Sequence, residues 1–317
     1  MLRVAVLDDY QGVALEVADW SVLQGRVDVT VLREWLPDED AVAETLAEYD
    51  VVVAMRERTP FPASLLARLP RLRLLVTTGM RNASIDVAAA QELGIAVCGT
   101  ASKGTSTAEH TWALILGRCR HLVEESANMS AGRWQTTLGT GLAGRTLGVV
   151  GLGRIGSQVA AVGRAFAMDV VAWSQNLTDE LARSHGARLV ELDELLAASD
   201  VVTVHLVLSE RTRGLLGTDQ LARMKPSALL VNTSRGPIVD SDALVAAVRR
   251  GELAGAALDV YDEEPLPAEH PLRNTPGILA TPHLGYVTDD VYELFYGEAV
   301  EDIAAFLDGA PVRVLTA

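Results

Sequence analysis

Short apolar runs alternate along the chain with longer segments of helical periodicity. The first hundred residues contain five runs rich in β-branched residues, RVAVLD, VDVTVL, VVVAM, LRLLVTTG and IAVCG. Six more follow later in the chain, TLGVVG, DVVAW, DVVTVHL, ALLVNT, GAALDV and GILATP. Runs that are apolar at nearly every position are typical of parallel strands covered on both faces. Because these runs alternate with helical patterns, we predict an α/β protein with two doubly wound parallel-sheet units in tandem.

A single long helix is predicted between the two series of strands. Ser106 and Glu109 have the spacing of a capping box, and the helical pattern they open continues to Gly132. Its apolar positions are Trp112, Leu114, Ile115, Leu116, Leu122 and Val123. At about 1.5 Å per residue such a helix is about 30 Å long. Its wide apolar surface indicates a dimer contact, with an ordinary domain-linking helix as the alternative.

Length, charge and cysteine content limit the possible functions. A chain of 317 residues can form two domains with a cleft between them. The 42 acidic and 27 basic side chains give a net charge of −15, so no nucleic-acid or anionic-membrane partner is expected. No apolar run is long enough to span a membrane, and MLRVAVLDDY lacks a basic leader segment, so we predict a cytoplasmic protein. Cys98 and Cys119 have no metal or disulfide spacing, and no metal site is predicted.

A glycine-rich turn follows one of the apolar runs. The segment TLGVVGLGRIGSQVA places Gly151, Gly153 and Gly156 between a predicted strand and a predicted helix. In this context the glycines allow a tight turn and let the helix N-terminus approach a pyrophosphate. The sequence therefore predicts a dinucleotide site, with Arg154 and Ile155 in the same turn.

The residues that would select NAD or NADP depart from the usual pattern. Strand DVVAW ends at Trp173 and leads into Ser174, Gln175 and Asn176, without a carboxylate for the ribose hydroxyls or an arginine for a 2′-phosphate. Asp169 begins that strand, about 13 Å from its carboxyl end at about 3.3 Å per residue. We therefore predict NAD or NADP, with a slight preference for NAD, and Ser174 as a ribose contact.

Three later strand ends carry reactive side chains. Arg235 follows ALLVNT, the carboxylates of YDEEPLP follow GAALDV, and His283 follows ILATP. Carboxyl ends of parallel strands share one edge of a sheet, where ligands of doubly wound folds bind. Reduction of a keto acid needs a cation for the carboxylate, a proton donor and an acid that holds the donor. A carboxylate beside an imidazole favours its protonated form. This set therefore predicts hydride-transfer chemistry.

These motifs resemble the D-isomer-specific 2-hydroxyacid dehydrogenases over nearly the whole chain. The likeness lies in GLGRIG, DVVTVHLVLSERTRGLL, MKPSALLVNTSRGPIVD, DVYDEEPLP and TPHLG. It implies a Rossmann nucleotide-binding domain, residues 101–284, inserted into a flavodoxin-like substrate domain, residues 1–100 and 285–317. It also implies a homodimer. An amphipathic pattern from Thr288 to Gly309 predicts a terminal helix that packs on the first domain, followed by a short RVL strand.

The resemblance implies a catalytic set of Arg235, Glu264 and His283, with the neighbouring Glu263 on the surface. It also implies cofactor contacts by His205, Thr233 and Asp259. Leu-Val follows His205 where the family has Leu-Pro, so a packed strand-end histidine is the favoured interpretation there. The remaining histidines are interpreted as structural or exposed: His110 lies in the first turns of the linker helix, and three lie in helix or loop contexts without partners, His121, His185 and His270.

The predicted substrate segment departs from the family pattern at one position. Strand LRLLVTTG leads into GMRNASID, where relatives have a second glycine two residues after the first and this chain has Arg81. Arg81 either recognises a second anionic or polar group on the substrate, or pairs with a local acid such as Asp86 or Asp8. The candidate substrate contacts are Gly79, Met80, Arg81 and Arg56.

The resemblance implies reversible interconversion of a small anionic 2-keto acid and a D-2-hydroxy acid. Glyoxylate, hydroxypyruvate and 3-phosphoglycerate are candidate substrates. The alternative is a non-catalytic NAD(H)-binding corepressor on the same fold. Such regulators can keep the same three residues, so the motifs alone do not separate the two functions.

Overall fold

The computed structural model describes all 317 residues, which form two compact units. Unit 1 comprises Met1–Lys103 and Thr288–Ala317, and unit 2 comprises Gly104–Val287. Unit 2 is therefore inserted into the sequence of unit 1. The roles assigned to the two units from the sequence, substrate binding and nucleotide binding, stay predictions.

Twelve strands and twelve α-helices make up the two units. The strands are β1 (Leu2–Val6), β2 (Val27–Val31), β3 (Val51–Ala54), β4 (Leu74–Thr77), β5 (Ala96–Gly99), β6 (Thr146–Val150), β7 (Asp169–Trp173), β8 (Arg188–Leu189), β9 (Val201–Val204), β10 (Leu229–Asn232), β11 (Gly255–Leu258) and β12 (Ile278–Ala280). The helices are α1 (Glu39–Leu46), α2 (Ala63–Leu66), α3 (Val87–Glu92), α4 (Thr105–Cys119), α5 (Leu122–Ser130), α6 (Arg154–Ala165), α7 (Asp179–Ser184), α8 (Leu192–Ala198), α9 (Thr218–Leu221), α10 (Ser241–Arg249), α11 (Pro271–Asn274) and α12 (Asp289–Leu307). None of these helices is both long and apolar enough to cross a membrane.

Unit 1 contains a five-stranded sheet in the order β2-β1-β3-β4-β5, and every pairing is parallel. Every residue of β3 and β4 is buried, as expected for central strands with helices on both faces. The order is that of flavodoxin-like folds, in which ligands bind beyond the carboxyl ends of the strands. Helix α12 lies in this unit and ends before Gly309, as predicted.

The predicted C-terminal RVL strand is wrong. Val314 forms only an isolated antiparallel bridge with Cys98. Two backbone bonds hold the segment, from Gly99 N–H to the Arg313 carbonyl at 3.0 Å and from Leu315 N–H to the Val97 carbonyl at 2.8 Å. The left-handed backbone of Arg313, with φ of 50°, interrupts the ladder between these bonds.

Unit 2 contains a seven-stranded parallel sheet in the order β12-β11-β10-β9-β6-β7-β8. Apart from the outer strand β12, this is the 3-2-1-4-5-6 order of the Rossmann fold. Successive residues of β6 point to opposite faces of the sheet. Val149 packs in the hydrophobic cluster on one face, and Val150 packs in the hydrophobic cluster on the other. The predicted fold class is therefore confirmed. The two-residue strand β8 was not predicted.

The predicted single linker helix is two helices, α4 and α5. His121 between them has a left-handed backbone, with φ of 52°, and an α-helix cannot continue through that conformation. The predicted capping box is also absent. Gly104 is the N-cap of α4 without a side-chain hydrogen bond, and the buried Ser106 hydroxyl has no partner.

The apolar residues of the linker divide between core and surface. Trp112, Leu114 and Ile115 are buried in unit 2, so they cannot form the predicted dimer contact. Leu122 and Val123, at the start of α5, have 55% and 64% of their surface exposed. Only the second half of the predicted apolar surface is therefore available to a partner.

Candidate active site

Three neighbouring strands of unit 2 end in register at one edge of the sheet. Asn232, the last residue of β10, pairs with Leu258 of β11, which pairs with Ala280 of β12. The segments that follow carry Arg235, residues 259–264 and His283. The predicted convergence of these segments at one edge is therefore present in the structure.

Glu264 and His283 are in direct contact. Nδ1 of His283 lies 2.6 Å from Oε2 of Glu264, and the backbone N–H of Tyr261 donates to Oε1 at 2.9 Å. Because an ionised carboxylate can only accept, Nδ1 carries the proton and Nε2 stays available to a ligand. The two side chains keep 24% (His283) and 32% (Glu264) of their surface exposed. The pair has the arrangement of an acid–base catalyst and the carboxylate that orients it.

The turn that carries Arg235 is fixed by its own sequence, NTSRG. Asn232 accepts from the Ser234 N–H at 3.0 Å and donates to the Arg235 carbonyl at 2.9 Å. A Cβ atom at Gly236 would lie 2.0 Å from the carbonyl carbon of Tyr261. Only glycine therefore lets this turn approach the backbone of the segment that leads to Glu264.

Asp259 accepts hydrogen bonds from the backbone of the loop that carries His283. Its Oδ1 accepts from the Leu284 N–H at 2.7 Å, and its Oδ2 accepts from the Gly285 N–H at 2.8 Å. The Thr281 hydroxyl donates to Oδ1 at 2.6 Å. Burial alone would raise the pKa of Asp259, but hydrogen bonds from His110 and Thr281 outweigh burial and lower it. Asp259 is therefore held ionised, and it holds His283 in place.

His110 belongs to this network as a structural residue. Its Nε2 lies 3.2 Å from Asp259 Oδ1 and 3.0 Å from the Thr281 hydroxyl. Thr111, the next residue on α4, shares a 2.8 Å hydrogen bond with Thr233. Together with Thr107, which donates to the Gly285 carbonyl at 3.0 Å, these residues form one polar face at helical spacing. That spacing is the pattern that would have identified His110 from the sequence.

The glycine-rich turn after β6 has the three features of a dinucleotide-binding turn. Gly151 has φ of 103°, and a Cβ atom there would lie 2.6 Å from the His205 carbonyl oxygen. A Cβ atom at Gly156 would lie 2.0 Å from the Gly151 carbonyl oxygen, so Gly156 permits close packing of the helix on the strand. Gly153 faces open space. No side chain caps α6, so its first N–H groups can bind a phosphate.

Comparison with known proteins decides the family. The model of the NAD binding domain of D-isomer specific 2-hydroxyacid dehydrogenases matches residues 112–285, more than half of the chain. The chain belongs to the D-isomer-specific 2-hydroxyacid dehydrogenase family. The predicted family, the predicted dehydrogenase class and the predicted NAD(P) cofactor are thereby confirmed.

Individual relatives of the family span most of this chain. A glyoxylate reductase from Aeropyrum pernix is 41% identical over 255 residues, which cover 77% of this chain and 76% of the relative. A D-3-phosphoglycerate dehydrogenase from Archaeoglobus fulgidus is 34% identical over 98% of this chain, which spans 58% of that relative. A crystal structure of a phosphoglycerate oxidoreductase from Vibrio cholerae matches with a TM-score of 0.93 at 37% identity, covering 98% of this chain and all of the other. These relatives lend no support to the corepressor alternative.

The dinucleotide of the family fits the residues of unit 2. Gly153 leaves room for a ligand, and the uncapped start of α6 supplies backbone donors from Arg154 and Ile155. Ser174, at the end of β7, is half-buried, and its hydroxyl accepts from the Leu152 N–H at 3.5 Å. The residues between Ser174 and Asp179 are uncharged, and all but the half-buried Leu177 are exposed. No carboxylate follows β7 directly in the position where NAD-specific members of the fold bind the ribose.

His205 lies beside the glycine-rich turn. Its Nε2 is 2.9 Å from the Thr203 hydroxyl, and burial lowers the pKa of its imidazole to about 3. The ring is therefore neutral near pH 7 and cannot serve as a cation. Val207, which stands where the family has proline, is 81% exposed.

The predicted substrate residues lie in unit 1, after β3 and β4. Arg56 has a left-handed backbone, with φ of 53°, and its Nη1 donates to the Thr78 carbonyl at 3.0 Å. Met80 and Arg81 are exposed. The pairing of Arg81 with a local acid, the alternative to substrate recognition, is not observed. No ion pair joins Arg81 to Asp86 or to any other acid.

Proposed function

We propose that the chain reversibly reduces a small 2-keto acid to the D-2-hydroxy acid. The observation that carries this proposal is the 2.6 Å contact between His283 and Glu264, on a sheet edge shared with Arg235. The bound dinucleotide supplies the hydride in reduction and accepts it in oxidation. The residues of the chain supply binding, orientation and the proton.

His283 is the proposed proton donor to the keto oxygen. Its Nε2 has no partner in the protein, while Nδ1 is bound to Glu264. The negative Glu264 side chain stabilises the imidazolium that forms when the reaction runs in the oxidative direction. The backbone N–H of Tyr261 keeps Glu264 in this orientation.

Arg235 is the proposed partner of the substrate carboxylate and of the developing alkoxide. A guanidinium presents paired donors that match a carboxylate, and its attraction for the keto oxygen strengthens as negative charge develops there. The rigid NTSRG turn supports this role, because Asn232 fixes the backbone on both sides of Ser234.

The proposed cofactor contacts are the three glycines, Arg154, Ile155, Ser174, His205, Thr233 and Asp259. A carboxylate after β7 would repel a 2′-phosphate, and none is present there. We therefore expect NADH and NADPH to bind with dissociation constants within about tenfold of each other, a free-energy difference below about 1.4 kcal/mol. Titration of the nucleotide fluorescence tests this, and a difference beyond a hundredfold would contradict it.

A homodimer is the proposed assembly. Several large apolar side chains of one stretch of unit 2 are exposed, and such patches are typical of protein interfaces. They are Leu122, Val123, Met129, Trp134 and Leu138. Light scattering should give twice the mass of the chain, and Trp134→Ser with Leu138→Ser should lower it towards the monomer. The cytoplasmic location expected from the sequence stays a prediction.

Product analysis tests the proposed reaction. Glyoxylate, hydroxypyruvate, pyruvate and oxaloacetate are offered with NADH, and chiral chromatography then separates the hydroxy acids of the last three. The proposal predicts the D isomer of each product. Formation of the L isomer would contradict the assigned stereochemistry, and tight NADH binding without any turnover would favour the regulatory alternative.

A further inference from the structure

The loop after β4 contains consecutive backbone donors without acceptors. At its ends, Gly79 N–H donates to the Thr100 hydroxyl at 2.8 Å, and Ser84 N–H donates to Asn82 Oδ1 at 2.9 Å. The N–H groups of residues 80–83 have no acceptor in the protein. Successive free N–H groups in a turn form concave sites for anions.

This loop is held in place before any ligand binds. The side-chain amide of Asn82 donates to the Arg56 carbonyl at 2.6 Å and to the Thr77 hydroxyl at 2.9 Å. Asn82 therefore anchors the middle of the loop to the ends of β3 and β4. An anion that binds here does not have to order the backbone, and the entropic cost of binding is small.

Two guanidinium groups accompany the free N–H groups. A Cβ atom at Gly79 would lie 1.9 Å from Arg56 Nη1, so the Arg56 side chain lies directly against the loop backbone. Its charge is partly offset by Glu57, whose Oε2 is 3.6 Å from Arg56 Nη2. Arg81 has no such offset, since it makes no hydrogen bond or ion pair.

The two acids considered as partners of Arg81 accept hydrogen bonds from other groups. The carboxylate of Asp8 accepts from Thr59 at 2.8 Å and from Tyr10 at 3.1 Å. Asp86 caps α3 by accepting from the Ala89 N–H at 2.9 Å. The guanidinium of Arg81 is thus left without an ion-pair partner.

We infer that Arg81 selects 2-keto acids that carry a second anionic group, either a second carboxylate or a phosphate. The inference rests on the proposed function. The free N–H groups of the loop assist Arg235 in binding the carboxylate that all the substrates share, and the Arg81 guanidinium binds the second group through paired, charge-assisted hydrogen bonds. A glycine at this position, as in the family pattern, offers no charge for the second group.

Matched substrate pairs test this inference. Oxaloacetate differs from pyruvate by one carboxylate, and phosphohydroxypyruvate differs from hydroxypyruvate by one phosphate. We expect Arg81→Gln to raise KM about tenfold for the two substrates with a second anionic group, with kcat little changed, because one charge-assisted contact is lost. KM for pyruvate and hydroxypyruvate should change less than about twofold. Arg81→Lys should fall between, and Arg183→Gln, a surface arginine paired with Asp179, should match the wild type.

The arms of this experiment separate the possible outcomes. A larger effect on oxaloacetate identifies the second group as a carboxylate, and a larger effect on phosphohydroxypyruvate identifies it as a phosphate. An equal change in KM for all four substrates, or no change for any, overturns the role of Arg81.

A binding measurement keeps the inference testable if the wild type turns over none of the four substrates, which would be a failure of the proposed function itself. Calorimetry then compares D-malate with D-lactate, which differ by one carboxylate. Tighter binding of D-malate that is lost in Arg81→Gln supports the inference. Equal binding of the two acids to the wild type overturns it.

Discussion

The carboxyl edges of the two sheets differ in how their polar groups are bonded. In unit 2, Asp259, Glu264 and His283 are bonded to one another or to the loops that carry them. In unit 1, the N–H groups of residues 80–83 and the guanidinium of Arg81 have no partner in the protein. A bonded network fixes the geometry of a reaction, whereas free donors leave a place for a ligand. This difference supports the proposal that unit 2 sets the chemistry and unit 1 the choice of substrate.

Two buried carboxylates show the same contrast in their charge states. Asp259 in unit 2 and Asp302 in unit 1 have at most 1% of their side-chain surface exposed. Asp302 Oδ1 accepts from Arg313 at 3.0 Å, but its Oδ2 has no partner. Burial therefore raises the pKa of Asp302 to about 7, although Arg313 opposes the shift, whereas the hydrogen bonds of Asp259 lower its pKa. The number of donors, and not burial alone, decides the direction.

The largest expected effect on the bonded network of unit 2 is that of His283→Gln. Glutamine can keep a hydrogen bond to Glu264, but it cannot donate a proton to the substrate. We expect kcat to fall by about 10²–10⁴, the usual contribution of general acid–base catalysis, with little change in NADH affinity. Steady-state rates and nucleotide titration measure the two effects.

The control for this substitution is His185→Gln, at the C-terminal end of α7. It removes an imidazole from unit 2 without touching the network and should leave kcat near the wild-type value. A full rate in His283→Gln would show that the proton comes from another group.

Asp259→Asn should weaken both the fold and the reaction. An amide nitrogen in place of either oxygen faces a backbone N–H of Leu284 or Gly285. We expect the free energy of unfolding to fall by about 2–4 kcal/mol, measured by urea denaturation, and kcat to fall because the His283 loop loosens. If stability is unchanged, Asp259 does not hold the loop.

The effect of Asp259→Asn on stability depends on pH, and the direction of this dependence follows from the lowered pKa of Asp259. The pKa of Asp259 is lowered on folding, so its stabilisation is complete above about pH 4 and is lost as the pH falls below that value. The stability difference between wild type and Asp259→Asn should therefore be constant from about pH 5 to 8 and shrink in stronger acid.

Asp302→Asn should change the pH dependence of the unfolding free energy in the opposite direction and by a smaller amount. The folded protein keeps the Asp302 proton up to about pH 7, while the unfolded chain releases it near 3.8. Stability from this group therefore declines as the pH rises from about 4 to 7. We expect the variant to gain about 1–3 kcal/mol relative to the wild type across that interval, as measured by urea denaturation at each pH. A difference that does not vary with pH would show that Asp302 is ionised throughout.

Features encoded by local pattern could be predicted from the sequence. The apolar runs of the parallel strands identified every strand except β8, which has only two residues, Arg188 and Leu189. The glycine-rich turn was recognisable because its strand and helix flank it directly. The ends of β10, β11 and β12 placed Arg235 and His283 on one edge, since the order of a doubly wound sheet follows from its connections.

Features that depend on distant residues could not be predicted. The helical spacing of polar residues around His110 indicates a polar face, but not that its partner is Asp259, which lies 149 residues away in the sequence. The break between α4 and α5 rests on the left-handed backbone of a single residue, His121, which is neither glycine nor proline. The sequence also left open whether Arg81 pairs with Asp8 or Asp86, and only the structure shows that both acids are bonded to other groups.

The absorbance of NADH at 340 nm, followed with glyoxylate, hydroxypyruvate, pyruvate, oxaloacetate and 2-ketoglutarate, tests the proposed reaction most directly. We predict that absorbance falls for at least one acid with the wild type. With Arg235→Gln we predict a fall slower by at least about 100-fold, since the cation for the carboxylate and the alkoxide is lost. Equal rates in the two proteins, or no fall with any acid although NADH binds, would contradict the account.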